Sequence, residues 1–176
     1  MTMKNPNAVG RVVAVSISER KGMPKVNCER IELMTEAGIR HDAHAGPGHR
    51  QVSLLAMESI AKAREKMPRL RPGAFAENIT SEFLSLPEIP VGTRFRMGAE
   101  ALLEVTQIGK VCHKPCAIAF QTGDCVMPKE GIFARVLHGG FVVPGDPIEL
   151  LPAALEAHGQ TIGVPQTAPS PQGVSV

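Results

Sequence analysis

Short apolar runs recur along the chain, and most are rich in the β-branched residues that favour strands. In the clearest run, residues 101–108, apolar and polar positions alternate roughly as in a half-buried strand. Residues 93–97 and 101–108 are expected to form a hairpin, because turn-forming residues separate them. Further strands are predicted at residues 9–18, around Val26 and Cys28, and at residues 31–35, 51–56, 141–143 and 148–151.

The pattern predicts one clear helix, at residues 57–67, which Pro68 and Pro72 bring to an end. Residues 131–138 form too short a run for periodicity to decide between a helix and a strand. From Pro152 onward the Ala, Gly, Gln and Pro content predicts a loosely ordered tail. We therefore predict a single domain at residues 1–151, with its core at residues 9–151, followed by a tail at residues 152–176.

The composition favours a mainly β protein with an aliphatic core. The 176 residues include 17 glycines and 15 prolines, which indicates many turns, and only 3% are aromatic. A formal net charge of +2, without any Lys/Arg block, does not indicate binding to nucleic acid or to an anionic membrane. Because no apolar run is typical of a signal peptide or a membrane span, we expect a cytoplasmic protein with reduced cysteines.

Candidate chemistry concentrates after the strand at residues 101–108, where Cys112, Cys116 and Cys125 follow one another. Lys110, His113 and Lys114 place positive charge beside the first two thiols. Positive charge favours the thiolate and lowers a cysteine pKa from its usual value of about 8.5. The spacing is neither a CxxC redox pair nor a zinc ribbon, although a metal knuckle using His113 is an alternative.

Among the four cysteines, Cys116 is the preferred reactive thiol, because Lys114 supplies charge and Pro115 stiffens its approach. Cys125, beside Val126 and Met127, is predicted to belong to the core. Cys28 is predicted to be a small half-buried hydrophobe.

A second candidate region is the glycine-rich loop at residues 38–50, which holds three histidines and two arginines. Arg40 and Arg50 have the forked guanidinium that pairs with phosphate or carboxylate oxygens. The spacing of its histidines (His41, His44 and His49) also permits a metal site. The third interpretation is a polar loop that is only solvated. Farther on, the polar pair Glu77-Asn78 lies between Phe75 and Ile79, which should point inward and fix the pair in place. Asn78 then either braces its own turn or contacts a ligand.

Several motifs, taken in order, resemble the MOSC family, named for the C-terminal domain of molybdenum cofactor sulfurases. They are Asp42-Ala-His-Ala-Gly, Arg50-Gln-Val-Ser-Leu, Ala76-Glu-Asn-Ile, Ile108-Gly-Lys-Val-Cys-His-Lys-Pro-Cys, Met127-Pro-Lys-Glu-Gly-Ile-Phe-Ala-Arg, Gly139-Gly and Pro144-Gly-Asp. The resemblance covers residues 9–151. It implies a MOSC-type β-barrel, related in shape to the small barrel domain of pyruvate kinase, with a few peripheral helices.

The resemblance also implies an essential cysteine, which matches Cys116, with Cys112 as the second choice. Family members carry or transfer sulfur, or hold a molybdopterin-type cofactor with the cysteine as a molybdenum ligand. By this resemblance Arg50, His44 and Arg135 would hold the phosphate and the pterin edge, Asn78 would bond the ring system, and Lys110 and Lys114 would add positive charge. A family-level association with pyridoxal phosphate binding comes with it.

The expected function is therefore that of a stand-alone MOSC protein that binds the molybdenum cofactor and carries sulfur on Cys116 during cofactor maturation. A cysteine desulfurase or a cofactor-synthesis enzyme would be its partner. One alternative is a molybdenum-dependent reductase of N-hydroxylated substrates, which would need an external electron donor because the chain lacks the reductases' additional modules. Another is a non-catalytic module that binds or stores the cofactor. The sequence leaves the oligomeric state open.

Overall fold

The computed structural model describes residues 10–112 and 117–152. Within them the chain forms mainly strands, with three short α-helices and a 3-10 turn at Leu86–Glu88. The strands are β1 (Gly10–Ile17), β2 (Val26–Cys28), β3 (Ile31–Met34), β4 (Gly38–Ile39), β5 (Val52–Ala56), β6 (Ile79–Glu82), β7 (Arg94–Met97), β8 (Ala101–Ile108), β9 (Ile132–His138), β10 (Gly140–Val142) and β11 (Pro147–Leu150). The helices are α1 (Met57–Arg64), α2 (Ala117–Thr122) and α3 (Met127–Glu130).

Seven of the strands close into a barrel. The order is β11-β7-β8-β9-β5-β6-β1, and β1 pairs back onto β11 through Gly10 opposite Ile148. All neighbours are antiparallel except β5 and β6, which are parallel, with α1 in the connection between them. Closure leaves no open edge in the seven-stranded part, and β2 adds to β1 outside the ring. The predicted mainly β barrel with a few peripheral helices is confirmed.

Two apolar clusters hold the fold together. The larger fills the barrel and includes Val15, Leu54, Phe95 and Leu103. The smaller lies under α1 and α3 and includes Leu55, Ile60, Phe75, Met127 and Phe133. Because successive side chains of a strand point to opposite faces, β5 contributes Leu54 to the first cluster and Leu55 to the second. This explains why β5 is buried along its whole length.

The sequence-based elements agree with the structure wherever apolar runs were long. The helix begins at Met57 as predicted and ends slightly early, at Arg64. The run at residues 131–138 is the strand β9, which pairs on both sides, with β8 and with β5. Two-residue β4, four-residue α3 and six-residue α2 were not predicted, because segments of this length carry no periodicity.

Two other expectations concern the ends of the chain and membranes. The predicted tail lies outside the described residues from position 153 onward. No helix in the described part of the chain is long and apolar enough to cross a bilayer.

Candidate functional site

A cavity of about 490 Å³ opens at one end of the barrel. The glycine-rich loop forms one side of it with His44, Gly46, Pro47, Gly48, His49 and Arg50. The barrel contributes Ser53 of β5, Phe133 of β9 and Asn78 just before β6. Lys110, which follows β8, and Met127 of α3 complete the wall. The glycine-rich loop and the start of the cysteine loop, which are far apart in sequence, therefore meet at one site.

The charge of this cavity is one-sided. Lys21, Arg50 and Lys110 line it, and no Asp or Glu is among its described lining residues. None of these three cations forms an ion pair with a carboxylate in the part of the chain that the structure describes. Unpaired cations around a concave surface raise the local concentration of anions, so the cavity suits an anionic ligand.

Arg50 and Arg135, both expected to hold phosphate, have different surroundings. The Arg50 guanidinium lies over the Phe133 ring, 5.7 Å from its centroid, at the cavity wall. Arg135 does not line the cavity. Its guanidinium donates to Glu104 on β8, at 2.9 and 3.1 Å. The structure thus brings Arg50 to the site and leaves Arg135 in an ion pair on the outer face of the sheet.

His44 lies beside a buried ion pair. Lys25 Nζ donates to Asp42 Oδ2 at 2.6 Å, and both side chains are 1% exposed. Burial pushes the pKa of Asp42 upward, but hydrogen bonds from Lys25 and from the backbone of Ser18 and His44 outweigh it and hold that pKa below its usual range. Burial, and then the Lys25 charge, lowers the pKa of His44. Of this group only His44 reaches the cavity wall.

Asn78 lies at the cavity wall with its amide already engaged. Its Oδ1 accepts from Ser53 N and Oγ at 3.2 and 3.0 Å, and its Nδ2 donates to Ser16 O at 3.1 Å. These bonds tie the turn before β6 to β5 and to β1. Phe75 and Ile79 are buried as predicted, at 6% and 0% exposure.

Glu77, the other member of the polar pair Glu77-Asn78, is also held in place, as expected. Glu77 is fully buried and accepts hydrogen bonds from Gly73 N, Phe75 N and Thr80 Oγ1. Burial raises its pKa despite these donors. Ala76, directly before Glu77, has φ of 64°, a left-handed conformation that a non-glycine residue adopts at a cost. Such strain is concentrated at ligand sites in proteins, and Ala76 lines the cavity.

The start of the cysteine loop is anchored to α3. Gly109 N donates to Gly131 O at 2.6 Å, and Lys110 N donates to Pro128 O at 3.2 Å. Gly109 has φ of 64°, and a Cβ there would meet Pro128 O at 2.2 Å, so only glycine allows this approach. This anchor places Lys110 in the cavity wall, two residues before the exposed Cys112.

The other candidates of the cysteine region have different outcomes. Lys114 and Cys116 lie outside the described residues. Cys125, predicted to belong to the core, is only half-buried, against the smaller apolar cluster. Cys28 is half-buried against the larger cluster, as predicted. In the described part of the chain no three His, Cys, Asp or Glu side chains come together as a metal site, so His41, His44 and His49 do not form one.

Gln51 is a cavity residue that the sequence analysis did not single out. It is 2% exposed, and its Oε1 accepts from Val136 N at 2.9 Å. Because a backbone N–H requires an acceptor, this bond fixes which end of the amide is oxygen. Nε2 is buried and has no hydrogen-bond partner among the described residues. An unsatisfied buried donor is costly, and it is a feature of sites that bind a ligand or a water.

A model of the MOSC domain matches residues 40–149, which is most of the chain. The chain belongs to the MOSC domain family. MOSC domains are associated with molybdenum cofactor binding. No protein of curated function matches the sequence.

Solved structures with the same fold include three bacterial proteins. The YuaD protein of Bacillus subtilis is 19% identical, with a TM-score of 0.67 over 80% of this chain and 94% of that one. YiiM of Geobacillus stearothermophilus is 22% identical, with a TM-score of 0.64 over 84% and 78%. YiiM of Escherichia coli is 22% identical, with a TM-score of 0.57 over 81% and 70%. At these identities the likeness establishes the fold of the MOSC domain.

The cavity of this MOSC domain fits a molybdopterin-type group on two grounds. Its three cations, without an opposing carboxylate among the described lining residues, suit a phosphate. The Nε2 of Gln51, which has no partner among the described residues, suits an acceptor-bearing ring. Sequence reasoning found His44, Arg50, Asn78 and Lys110, but missed Lys21 and Gln51. Lys21 lies in a turn without any recognisable motif, whereas Gln51 directly follows Arg50 in a motif that was available.

Proposed function

We propose that this protein binds the molybdenum cofactor, or its pterin precursor, in the cavity at the end of the barrel, and that it handles sulfur at Cys116 during cofactor maturation. The observation that carries the proposal is the cavity itself. Lys21, Arg50 and Lys110 line it without a carboxylate among its described lining residues, and it adjoins the segment that leads to the cysteines.

Each lining residue has a role that follows from its chemistry. Arg50 presents a forked donor for two phosphate oxygens, and its contact with Phe133 restrains the guanidinium. Lys21 and Lys110 add point charges that support the same anion. Gln51 Nε2 supplies a neutral donor for a ring oxygen or nitrogen, and the Asn78 amide, bonded to Ser53 and Ser16, supports the wall. The bound cofactor would supply the molybdenum centre.

The sulfur transfer assigned to Cys116 requires one other reactant, a persulfide on the donor protein. The Cys116 thiolate attacks the terminal sulfur of a persulfide on a cysteine desulfurase. The bond between the two donor sulfurs breaks, the donor leaves as a thiolate, and Cys116 keeps the transferred sulfur as a persulfide. Lys114, two residues earlier in the sequence, favours the thiolate that this attack requires.

The test is purification from a host that makes the cofactor, followed by measurement of molybdenum, of pterin fluorescence after oxidation, and of persulfide on each cysteine. Pterin together with persulfide on Cys116 is the expected result. Pterin without persulfide would favour a module that only binds or stores the cofactor. Reduction of an N-hydroxylated substrate with an external electron donor would favour a molybdenum-dependent reductase. Absence of pterin from the purified protein would contradict the proposal.

A Gln51→Glu variant sharpens this test. Glutamate keeps an oxygen for Val136 N, but it removes both amide donors and adds negative charge to a cavity proposed to hold an anion. We expect this variant to retain at least tenfold less pterin, because the lost donor and the added negative charge both weaken binding. Arg135→Ala is the matched control, because Arg135 does not line the cavity. Equal pterin in all three proteins would count against the cavity.

A further inference from the structure

Three polar groups meet below the cavity, where Lys25 and Asp42 are 1% exposed and the His44 side chain is 39% exposed. The Lys25 ammonium has three acceptors within reach. These are Asp42 Oδ2 at 2.6 Å, His44 Nδ1 at 3.2 Å and Ser18 Oγ at 3.4 Å. Three N–H bonds thus face three acceptors, so every proton of the buried ammonium has a partner.

The contact with Lys25 decides where the histidine carries its proton. An ammonium group can only donate, so the His44 Nδ1 that faces it must be the unprotonated nitrogen of the ring. The nearest competing partner of Nδ1, Asp42 Oδ1, is farther away at 3.4 Å and already accepts from the backbone N–H of His44 at 3.0 Å. A neutral ring with a bare Nδ1 carries its proton on Nε2.

We propose that Lys25 and Asp42 are positioning residues that hold His44 as a neutral Nε2–H donor at the cavity wall. Because Nδ1 is engaged by Lys25, Nε2 is the polar atom of the ring left for a ligand. His44 then gives a hydrogen bond to an oxygen of the bound anion without adding a charge of its own. The part of this inference that concerns the ligand rests on the proposed function, whereas the state of the ring does not.

The charged surroundings of His44 support a neutral ring. Burial, Lys25 and Lys21, which lines the same cavity, disfavour the charged ring, whereas Asp42 favours it. Burial and the two lysines outweigh Asp42, so the pKa of His44 is lowered. Arg50, Lys110 and His49 lie on the same wall. In a site with this many positive groups, a donor that stays neutral at pH 7 avoids mutual repulsion.

The ring state can be measured directly by NMR of protein labelled with ¹⁵N-histidine. A His44→Gln variant identifies the His44 signals by their loss. We expect the Nε2–H tautomer of neutral imidazole at pH 7. An Nδ1–H tautomer, or an imidazolium at pH 7, would overturn the proposal.

A double variant, Lys25→Met with Asp42→Asn, tests the role of the buried pair without leaving one charge unpaired. We expect the His44 ring to become a mixture of tautomers and its pKa to return towards about 6.5. An unchanged tautomer in the folded double variant would show that Lys25 does not position the ring. If the double variant does not fold, the wild-type spectrum alone decides.

Inorganic phosphate serves as the ligand probe. His44→Gln keeps an amide donor and should bind phosphate within about threefold of wild type, whereas His44→Phe should bind it at least tenfold more weakly, as expected for one hydrogen bond to a charged group. Equal binding by both variants would overturn the assigned donor role. Failure of the wild-type protein to bind phosphate would instead contradict the proposed phosphate site, while the NMR result would still decide the state of the ring.

Discussion

The ammonium nitrogen of Lys25 lies 2.6 Å from Oδ2 of Asp42, and each of the two side chains is only 1% exposed. Removing one partner leaves the other charge buried and unpaired. We therefore expect Lys25→Met to lower the free energy of unfolding by about 3–5 kcal/mol. The double variant with Asp42→Asn should recover much of this loss, because no charge remains buried. Urea unfolding of both variants checks the prediction, and similar losses in the two would contradict it.

Acid should destabilise the fold in two stages. His44 has a lowered pKa in the folded state, so its stabilising effect is complete above about pH 6.5 and is lost as pH falls towards the folded value. Asp42 also has a lowered pKa, so its effect is complete above about pH 3.9 and is lost on further acidification. Urea unfolding at a series of pH values measures both stages.

A matched variant is needed because one buried group acts in the opposite direction. Burial raises the pKa of Glu77 in the folded state. Its contribution to the free energy of unfolding therefore increases as pH falls through that raised pKa towards about 4.3, the usual value of glutamate. The difference between wild type and His44→Gln cancels Glu77 and isolates His44. We expect that difference to shrink between pH 7.5 and pH 5, and a constant difference would contradict the assigned pKa.

Whereas the barrel itself was implied by the resemblance to the MOSC family, its strands were predictable because long apolar runs favour strands. Residues 101–108 show this, since the alternation of apolar and polar positions matches the faces of β8. The closure of the barrel, with Gly10 beside Ile148, joins residues more than a hundred positions apart and has no local signal. The same limit applies to β9, which became a strand because β5 and β8 supply partners on both sides.

For the site, the sequence predicts which side-chain types are present, but it does not predict which partners surround each side chain. Arg50 and Arg135 are equivalent as side chains, yet Glu104 stands opposite Arg135 in the register of β8 and β9 and pairs with it. Lys25 could not be found from sequence either, because its importance comes from Asp42 and His44 packing against it across a long loop.

Arg50→Ala should weaken phosphate or pterin binding at least tenfold, and Arg50→Lys should recover only part of it, because the forked pair of donors is lost. Arg135→Ala is the control, since this arginine is ion-paired with Glu104 outside the cavity. Titration with phosphate, or pterin retained after purification, measures the effect. If Arg50→Ala and Arg135→Ala bind as well as wild type, Arg50 is a surface residue.

Brief alkylation should label Cys116 before Cys28 and Cys125. Burial raises the pKa of the Cys28 thiol, which makes it a poor nucleophile, and Cys125 is half-buried against the smaller apolar cluster. Cys112 is exposed and could also react quickly with the alkylating reagent, so a Cys112→Ser variant is included to remove its label. Peptide mapping identifies the labelled thiol, and labelling of Cys28 or Cys125 first would contradict the assignment. Cys116→Ser should change the free energy of unfolding by less than about 0.5 kcal/mol.

The tail should be dispensable for the fold, because its Gly, Pro and Gln content offers little apolar surface to offset the entropy of ordering it. Leu151 N donates to Arg94 O at 2.9 Å, so a chain ended after Leu151 keeps this backbone bond to the barrel. Its thermal midpoint should lie within about 2 °C of the full-length value, which corresponds to less than 1 kcal/mol in a domain of this size. The alternative is that Leu155 and Ile162 dock the tail on the barrel or on a second subunit. A drop several times larger, or a change of oligomeric state, would show that they do, and the domain would then extend beyond residue 151.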